Sequence, residues 1–454
     1  MDVSPERFPL TPEVRRIGRA IHEAGGRPVL VGGWVRDRLL EIPESKDFDL
    51  EVFGLSPGKL QKTLARFGPV ITVGRHFGVL KLNTRRGEYD VSVPRRESKI
   101  GKGHKQFRVE PDPTMTFEEA AARRDFTINA IGYDFLAGRV MDHFHGIRDL
   151  QERRLRHVGP AFGEDPLRVL RAMQFAGRFD FAIDPETLAI CREQDLSELP
   201  RERIWEELKK LLLQAERPSR GLVYAEPLGV LPYFPELARL ATPPPAAKNN
   251  AARTRWEQTL AVVDRAAAMR SGDAKSGLVL MTGALCHQIR EPAIRTFLAR
   301  LTQETALLEA VVTLVRELDT PQRLYERRNV MPDGEIRRLA LRISIPFLLK
   351  LATAVFQGAF GQGPTGSFGA GEWLAQRSRE LGVYGAPPEP VLKGRHLLEM
   401  GLGPGPGIGE ILDRVFERQL DGHIATAEEA LAWVRQECTP DDGSPTNPST
   451  NDQV

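Results

Sequence analysis

The chain has 454 residues, of which 41% are hydrophobic and 27% charged, and its formal net charge is +2. This composition is typical of a globular protein of about three domains and excludes an intrinsically disordered chain. No apolar run reaches the roughly 18–20 residues of a membrane-spanning helix, and the N-terminus lacks a secretory signal, so we expect no membrane partner. The three cysteines form no CxxC pair, which excludes a disulfide framework and predicts a reducing, cytoplasmic location.

The first 150 residues mix strand and helix patterns. Residues 27–31 (RPVLV) predict a strand that ends at Gly32 and Gly33, and a helix pattern follows from Trp34 to Leu40. Residues 95–108 are polar, basic and punctuated by glycine, which predicts a mobile loop. Further strands are predicted at 46–53, 79–83 and 89–93, and a helix at 117–130.

Beyond residue 150 the pattern is mainly helical. Helices are predicted at 165–178, 185–193, 200–215, 255–270, 276–290, 294–317 and 335–355. We therefore expect an α+β fold, with a mixed-sheet head followed by an elongated helical neck, body and tail. The expected boundaries are 1–150 for the head, 151–215 for the neck, 216–356 for the body, 357–438 for the tail and 439–454 for a disordered end.

Two short motifs in the head suit a nucleoside triphosphate. Gly32 and Gly33 stand between a strand and a helix, where backbone amides can approach a phosphate, and Arg36 in the same motif (GGWVRD) can add a guanidinium fork. Asp47 and Asp49 lie two apart on a predicted strand, so both carboxylates point to one face. Paired carboxylates opposite a phosphate-binding turn predict two Mg²⁺ ions.

Asp90 lies on the next predicted strand and has two interpretations. It is either a third metal-binding carboxylate or an exposed strand residue, and the sequence leaves both open. Each motif alone is compatible with a tight turn and a solvated strand face; their order and spacing together favour the functional interpretation.

Several long motifs make the chain resemble a known family. GGWVRD with KDFDLEVFG, RRDFTINAIGYD at 123–134 and GEDPLRVLRAMQFAGRF at 163–179 resemble the class II tRNA nucleotidyltransferases and bacterial poly(A) polymerases. Residues 392–435 are similar to the tail of bacterial CCA-adding enzymes. The resemblance implies a head of the DNA polymerase β superfamily, CTP and ATP as substrates, Mg²⁺ as cofactor and tRNA as partner. It also implies that Gly32, Gly33, Arg36 and Asp37 contact the nucleotide.

The later motifs suit nucleotide contacts as well. Arg123 and Arg124, in the predicted 117–130 helix, can hold triphosphate oxygens, while Asp125 or Asn129 can bind ribose hydroxyls. Asp165 and Arg168 are three apart on a predicted helix, hence on one face. One acceptor beside one donor matches the edges of cytosine and adenine and rejects guanine and uracil. The resemblance implies that this pair selects the base; the alternative is a surface ion pair.

Further residues of the neck extend these contacts. Arg171 can reach phosphates, whereas Gln174 stands where the family often has another arginine, which removes one phosphate contact. RERIWEELKKLL at 201–212 resembles the family's helix-bracing motif, in which Arg203 with Glu206 or Glu207 would brace the neck; a solvated helix is the alternative. The segment 85–108 carries eight Lys and Arg against three Asp and Glu, which predicts a contact with RNA phosphates. In the family a flexible loop at this place is needed for adding A.

Residues 255–290 resemble a phosphohydrolase core of the HD type that has lost its ligands. Gln258 replaces the expected histidine and Gln288 the expected aspartate, so only His287 remains. Glutamine cannot replace an imidazole or a carboxylate in a tight metal site, so we expect a metal-free helical scaffold in which His287 is structural.

The leading hypothesis is a tRNA nucleotidyltransferase that adds CCA, or only the terminal A, by phosphoryl transfer. A bacterial poly(A) polymerase stays an alternative within this class, although Gly78 after Phe77 is more typical of the tRNA enzymes. An HD-type phosphohydrolase fusion and a non-catalytic RNA-binding relic are alternatives from other classes. The sequence leaves the oligomeric state open.

Overall fold

The computed structural model describes residues 7–42, 48–73, 79–99, 107–242, 254–270, 273–359 and 367–437. The chain divides into two compact units. The first comprises Met1–Met281 with Gln288–Glu304, and the second comprises Thr282–His287 with Thr305–Val454. The head, neck, body and tail boundaries expected from the sequence stay a prediction.

The first unit holds all the strands of the described residues. They are β1 (Arg27–Val31), β2 (Asp49–Phe53), β3 (Val70–Val73), β4 (Val79–Thr84), β5 (Gly87–Ser92), β6 (Arg95–Lys99), β7 (Phe107–Pro111), β8 (Gly132–Asp134), β9 (Arg139–Met141), β10 (Arg154–Leu155) and β11 (Ala182–Ile183). Seven of them form one mixed sheet in the order β3-β4-β5-β2-β1-β8-β9, in which β2 and β5 are parallel and the other neighbours antiparallel.

The helices of the first unit surround this sheet and continue beyond it. They are α1 (Pro12–Glu23), α2 (Gly33–Leu39), α3 (Pro57–Leu64), α4 (Phe117–Ala121), α5 (Gly146–Gln151), α6 (Leu167–Phe179), α7 (Pro185–Arg192), α8 (Arg201–Gln214), α9 (Ser219–Leu222), α10 (Pro235–Ala241), α11 (Arg255–Ala268), α12 (Ala274–Cys286), whose last turns belong to the second unit, and α13 (Glu291–Leu301). The expected α+β architecture, a mixed sheet followed by helices, is confirmed.

The second unit consists of helices and the loops between them in its described residues, with no strand. Its helices are α14 (Thr305–Arg316), α15 (Thr320–Glu326), α16 (Gly334–Arg342), α17 (Ile345–Ala359), α18 (Gly369–Glu380), α19 (Gly394–Glu399), α20 (Pro406–Leu420) and α21 (Ala427–Glu437). Within the described residues no single helix has the length and apolar character needed to cross a membrane. By those two criteria alone α16 and α17 pass as a pair, and they are bent by 89°.

The core of the head explains why these segments form a sheet. β1 is buried from its second residue to its end, as a central strand covered on both faces must be. Val29, Val31 and Phe53 on one face pack with Phe117 and Ala120 of α4 into an apolar cluster. Because β1 is held in this core and α2 follows it directly, the N-terminus of α2 has a fixed position beside the sheet.

Three predicted elements are wrong in instructive ways. The helix predicted at 117–130 ends at Ala121, and only a 3₁₀ turn at Thr127–Asn129 follows. The predicted helix 335–355 is two helices, because Ile343 is extended and Pro346 lacks the N–H that a continuous helix needs. The predicted helix 294–317 is likewise broken at the extended Thr302.

The segment 95–108 also differs from the expected loop. Arg95–Lys99 and Phe107–Pro111 pair as an antiparallel ribbon, β6 with β7, separate from the main sheet. Residues 100–106 between them lie outside the described residues, as do the predicted disordered end at 439–454 and the residues Phe77 and Gly78.

Candidate functional site

A glycine turn connects the central strand β1 to α2. Gly32 has φ of +71°, a left-handed conformation that favours glycine. A Cβ at this position would lie 3.4 Å from Oδ2 of Asp49 and 3.5 Å from Nη1 of Arg124. The turn, the carboxylate of Asp49 and the guanidinium of Arg124 therefore lie close to one another, with no side chain of residue 32 between them.

Two of the predicted carboxylates lie side by side on neighbouring strands. Asp49 begins β2, and its register partners are Val31 on β1 and Asp90 on β5. Because residues in register on parallel strands point to the same face, both carboxylates lie on one side of the sheet. Asp49 is half-buried and Asp90 exposed. Asp47 lies outside the described residues, within which no three metal-ligating side chains form a cluster.

The segment Arg123–Asp125 forms a turn rather than the predicted helix. Oδ1 of Asp125 accepts hydrogen bonds from the backbone N–H of Phe126 (2.8 Å) and from Nδ2 of Asn129 (2.9 Å). Short polar side chains that bond to nearby backbone compete with the helix in this way. The turn directs Arg124 to β2, where Nη2 donates to Oε2 of Glu51 at 3.0 Å. Sequence reasoning missed Glu51.

Asp125 also ties the head to α6. Nε and Nη2 of Arg171 lie 2.7 and 2.6 Å from its Oδ2. Burial opposes ionisation of Asp125, but the charge of Arg171 and the hydrogen bonds from Asn129 and Phe126 outweigh it and lower the pKa. Burial likewise opposes the charge of Arg171, whereas Asp125 and Glu207 raise its pKa. The bridge is therefore a charged pair at neutral pH.

Arg36 continues the network and is not the open phosphate fork that the sequence suggests. Its side chain is 4% exposed, and it donates to Oδ1 of Asp37 (2.8 and 2.6 Å) and to Oδ1 of Asn129 (2.6 Å). Its guanidinium carbon also lies 5.2 and 4.5 Å from the ring centres of Phe175 and Phe179 on α6. Burial lowers its pKa, and Asp37 opposes that effect. This geometry makes Arg36 and Asp37 links between α2 and α6 and gives the phosphate contact no support.

The two predicted base-selecting residues lie at the start of α6 but not on one helical face. Asp165 precedes the helix in an extended conformation (φ −122°), so the helical spacing is wrong. Its Oδ1 accepts from the backbone N–H of Leu167 (3.1 Å), and its Oδ2 accepts from Nη2 of Arg203 (2.9 Å). Arg168 donates to the carbonyl oxygens of Ala161 and Arg123, both at 2.7 Å.

The α8 residues behind this pair are partly as expected. Arg203 braces Asp165, whereas Glu206 pairs with the neighbouring Lys209 at 2.6 Å. Glu207 is buried and lies 2.8 Å from Nζ of Lys210 and 3.7 Å from Nη1 of Arg171. Gln174 is 1% exposed, so in this structure its side chain belongs to the interior of the neck.

Four arginines of the basic segment 85–108 have described side chains, of which Arg85, Arg86 and Arg96 are exposed and Arg95 is half-buried. Arg85 and Arg86 are at the tip of the β4–β5 hairpin, and Arg95 and Arg96 begin β6. Nε of Arg96 lies 2.7 Å from Oδ2 of Asp112, so part of this charge is paired within the ribbon. The contact of this segment with RNA stays a prediction.

In the HD-like region the two substituted glutamines meet. Nε2 of Gln288 lies 3.1 Å from the carbonyl oxygen of Arg255 and 3.4 Å from Oε1 of Gln258. Nδ1 of His287 donates to the carbonyl oxygen of Ala284 at 2.8 Å, and burial lowers the pKa of its ring. These contacts are those of a structural scaffold.

Two family models match separate parts of the chain. The model of the poly A polymerase head domain matches residues 29–156, and that of the probable RNA- and SrmB-binding site of polymerase A matches residues 180–240. The multifunctional CCA protein of Methylobacillus flagellatus is 37% identical over 299 residues, which are 64% of this chain and 69% of that protein. The chain belongs to the tRNA nucleotidyltransferase and poly(A) polymerase family.

A second member of the family aligns over a similar number of residues. The multifunctional CCA protein of Stenotrophomonas maltophilia (strain K279a) is 41% identical over 273 residues, which are 58% of this chain and 64% of that protein. The chain thus spans just under two thirds of the length of such relatives.

Solved structures of the family resemble the chain over nearly its full length. The Bacillus stearothermophilus CCA-adding enzyme in complex with CTP has a TM-score of 0.68 and 25% identity, and covers 94% of this chain and 98% of its own. The Thermotoga maritima CCA-adding enzyme complexed with tRNA has a TM-score of 0.64 and 21% identity, and covers 97% of this chain and 99% of its own. The fold is therefore that of the CCA-adding enzymes.

Proposed function

We propose that the chain is an enzyme, a tRNA nucleotidyltransferase that adds CCA to tRNA 3′ ends from CTP and ATP. One observation carries the proposal: the Gly32 turn, Asp49 with Asp90 and the Arg123–Asp125 turn meet at one end of the sheet. The Asp125–Arg171 bridge connects this place to α6, which begins beside Asp165. Family membership and the CTP, ATP and tRNA complexes of the structural neighbours support it. Such an enzyme works in the cytoplasm, where tRNA matures.

The carboxylates fit a magnesium ion by their chemistry and placement. Mg²⁺ prefers oxygen ligands and is usually held by one or two carboxylates together with substrate phosphates. Asp49 and Asp90 present two carboxylates at the same register on one face, and Asp47 is two residues from Asp49 along the chain. When bound there, the ion lowers the pKa of a hydroxyl and offsets phosphate charge.

The residues of the protein position the hydroxyl and the triphosphate for the phosphoryl transfer. The 3′ oxygen of the RNA forms a bond to the α-phosphorus of the nucleotide, and the bond to the departing pyrophosphate breaks. Asp49 and Asp90 face the hydroxyl, whose proton leaves to solvent. Arg124, aimed at the Gly32 turn, holds triphosphate oxygens, and the glycine allows them to approach the backbone.

Base choice is assigned to Asp165 and Arg168. The carboxylate of Asp165 accepts from the exocyclic amino group that cytosine and adenine share, and Arg168 donates to the adjacent ring nitrogen. Arg203 keeps Asp165 in place from α8. For this readout Arg168 must exchange its present bonds to the carbonyl oxygens of Ala161 and Arg123 for the nucleotide.

Three tRNA transcripts test the proposal. They end at the discriminator base, at C and at CC, and each is incubated with Mg²⁺ and labelled CTP, ATP or both, then separated on a single-nucleotide gel. Complete CCA on the shortest transcript is the expected result. A single A on the CC-ended transcript alone would indicate an A-adding specialist, and long A ladders on any RNA would indicate a poly(A) polymerase.

A phosphohydrolase function is disfavoured by the α11 and α12 region. Gln258 and Gln288 contact each other where the HD pattern needs a histidine and an aspartate. We therefore expect no phosphatase activity with added Ni²⁺ or Mg²⁺. Metal-dependent release of phosphate that is lost in a His287→Ala variant would contradict this interpretation.

A further inference from the structure

Glu51 is a buried carboxylate in an apolar layer of the head. It is the third residue of β2 and lies directly across from Val29 on β1. Since side chains alternate along a strand, Glu51 shares one face with Asp49 and Phe53. Val29, Val31 and Phe53 on this face belong to the apolar cluster under α4. A carboxylate that is 5% exposed in such a layer needs a partner.

The partner is Arg124, which is 73 residues away in sequence. Nη2 of Arg124 donates to Oε2 of Glu51 at 3.0 Å, and the two side chains are 24% and 7% exposed. Nη1 of the same guanidinium points to the Gly32 turn, 3.5 Å from the position of a Cβ there. Nε is buried and has no hydrogen-bond partner among the described residues. Nη2 of the guanidinium is thus fixed to the sheet, and Nη1 faces the place where triphosphate oxygens are proposed to bind.

We propose that Glu51 is a positioning residue that orients Arg124 toward the triphosphate of the incoming nucleotide. This inference rests on the proposed nucleotidyltransferase function. A planar guanidinium held at one nitrogen by a buried carboxylate presents its remaining donors in fewer directions, so less conformational freedom is lost when phosphate binds. Without Glu51 the arginine keeps its charge but loses its direction.

The proposal predicts which kinetic constant changes. Arg124 is expected to contact the triphosphate, which CTP and ATP share, so loss of Glu51 raises the KM for both nucleotides to the same extent. The base preference stays as in the wild type, because Asp165 and Arg168 are untouched. A graded series follows from the chemistry: glutamine keeps one acceptor without the charge, and alanine keeps neither.

The experiment measures the KM for CTP and ATP and the kcat of Glu51→Gln and Glu51→Ala with tRNA transcripts. We expect KM to rise about tenfold in Glu51→Ala and less in Glu51→Gln, since charge-assisted hydrogen bonds are the strong ones. Asp134→Asn is the matched control. Asp134 is a buried carboxylate of the same sheet that pairs with Arg27 at 2.8 Å, at the end of β1 away from Gly32. It is expected to leave both KM values unchanged.

A double-mutant cycle separates positioning from general loss of structure. If Glu51 acts through Arg124, Glu51→Gln has no further effect on KM in an Arg124→Ala background. Equal effects in both backgrounds, or a KM that falls because Glu51 competes with phosphate for Arg124, would overturn the inference. Equilibrium titration with CTP gives a second measure if kcat is low. Failure of the wild type to add any nucleotide would instead refute the proposed function itself.

Discussion

The bridge between Asp125 and Arg171 links the head to α6, and its removal has a definite expected cost. In Asp125→Asn, Oδ1 keeps its bonds from Phe126 and Asn129, but an amide NH₂ replaces the oxygen that accepts from Arg171. Two donors then face each other, and the arginine loses its nearer carboxylate partner.

The size of this effect follows from the burial of the pair. Breaking a buried ion pair by removing one partner costs about 3–5 kcal/mol. The side chain of Asp125 is 9% exposed, whereas that of Arg171 is 30% exposed and keeps Glu207 at 3.7 Å, so Arg171 recovers part of its solvation. We therefore expect the free energy of unfolding to fall by about 3 kcal/mol, the lower end of that range.

Urea unfolding followed by circular dichroism measures this change, with Asp180→Asn as the matched control. Asp180 ends α6, pairs with Arg220 at 3.2 Å and is 51% exposed. Its φ of +55° is one that asparagine also adopts readily, so this variant should change the free energy of unfolding by less than about 0.5 kcal/mol. Similar losses in both variants would refute the reasoning.

Acid provides a second test of the same pair. Because the pKa of Asp125 is lowered in the folded state, its contribution to stability is complete above the unfolded pKa of about 3.9 and is lost as the pH falls through the folded pKa. The stability difference between wild type and Asp125→Asn should therefore be constant from pH 7 to about pH 5 and shrink below about pH 4. A difference that does not depend on pH in this window would contradict a charged bridge.

Three further variants test the active site. Asp49→Asn should reduce nucleotide addition by at least about a hundredfold with unchanged circular dichroism, because a carboxylate beside the reacting hydroxyl is lost; near wild-type rates would rule out its role. Gly32→Ala should abolish nucleotide addition. The control Gly138→Ala, at a residue with a similar φ of +66° but open space around it, should lower stability and leave addition unchanged. Equal activities of the two variants would refute the close approach of the triphosphate to the backbone at Gly32. Arg203→Ala should lower the preference for CTP over UTP about tenfold, because the carboxylate of Asp165 is no longer held in place. The control Arg201→Ala should not change this preference, since its partner Glu202 is exposed. Gel analysis of misincorporated nucleotides distinguishes the two variants.

Local chemistry made part of this site predictable. Glycine after a buried strand predicts a turn with close backbone approach, and period two predicts a common face for alternate carboxylates. The Gly32 turn, which has a positive φ, and the place of Asp49 on strand β2 follow from these rules, although the strand begins at Asp49 and not at residue 46. The helix α6 was predicted within two residues of its ends because its apolar residues recur with helical spacing.

The remaining features depend on contacts between distant residues. Arg124 meets Glu51 across 73 positions and Arg171 meets Asp125 across 46, and no local pattern encodes such pairs. The turn at Asp125 was missed because helix propensity was weighed without the side-chain bonds to Phe126 and Asn129. The burial of Arg36 was missed for a similar reason, since its aromatic neighbours come from α6.

The central claim is that the protein itself selects C, C and then A without a nucleic-acid template. A tRNA transcript that ends at the discriminator base, incubated with all four nucleoside triphosphates and Mg²⁺ and then sequenced at its 3′ end, tests it most directly. We expect CCA on most molecules, no extension beyond A, and no addition by Asp49→Asn. Mixed bases, A tails of variable length or equal addition by the variant would contradict the account.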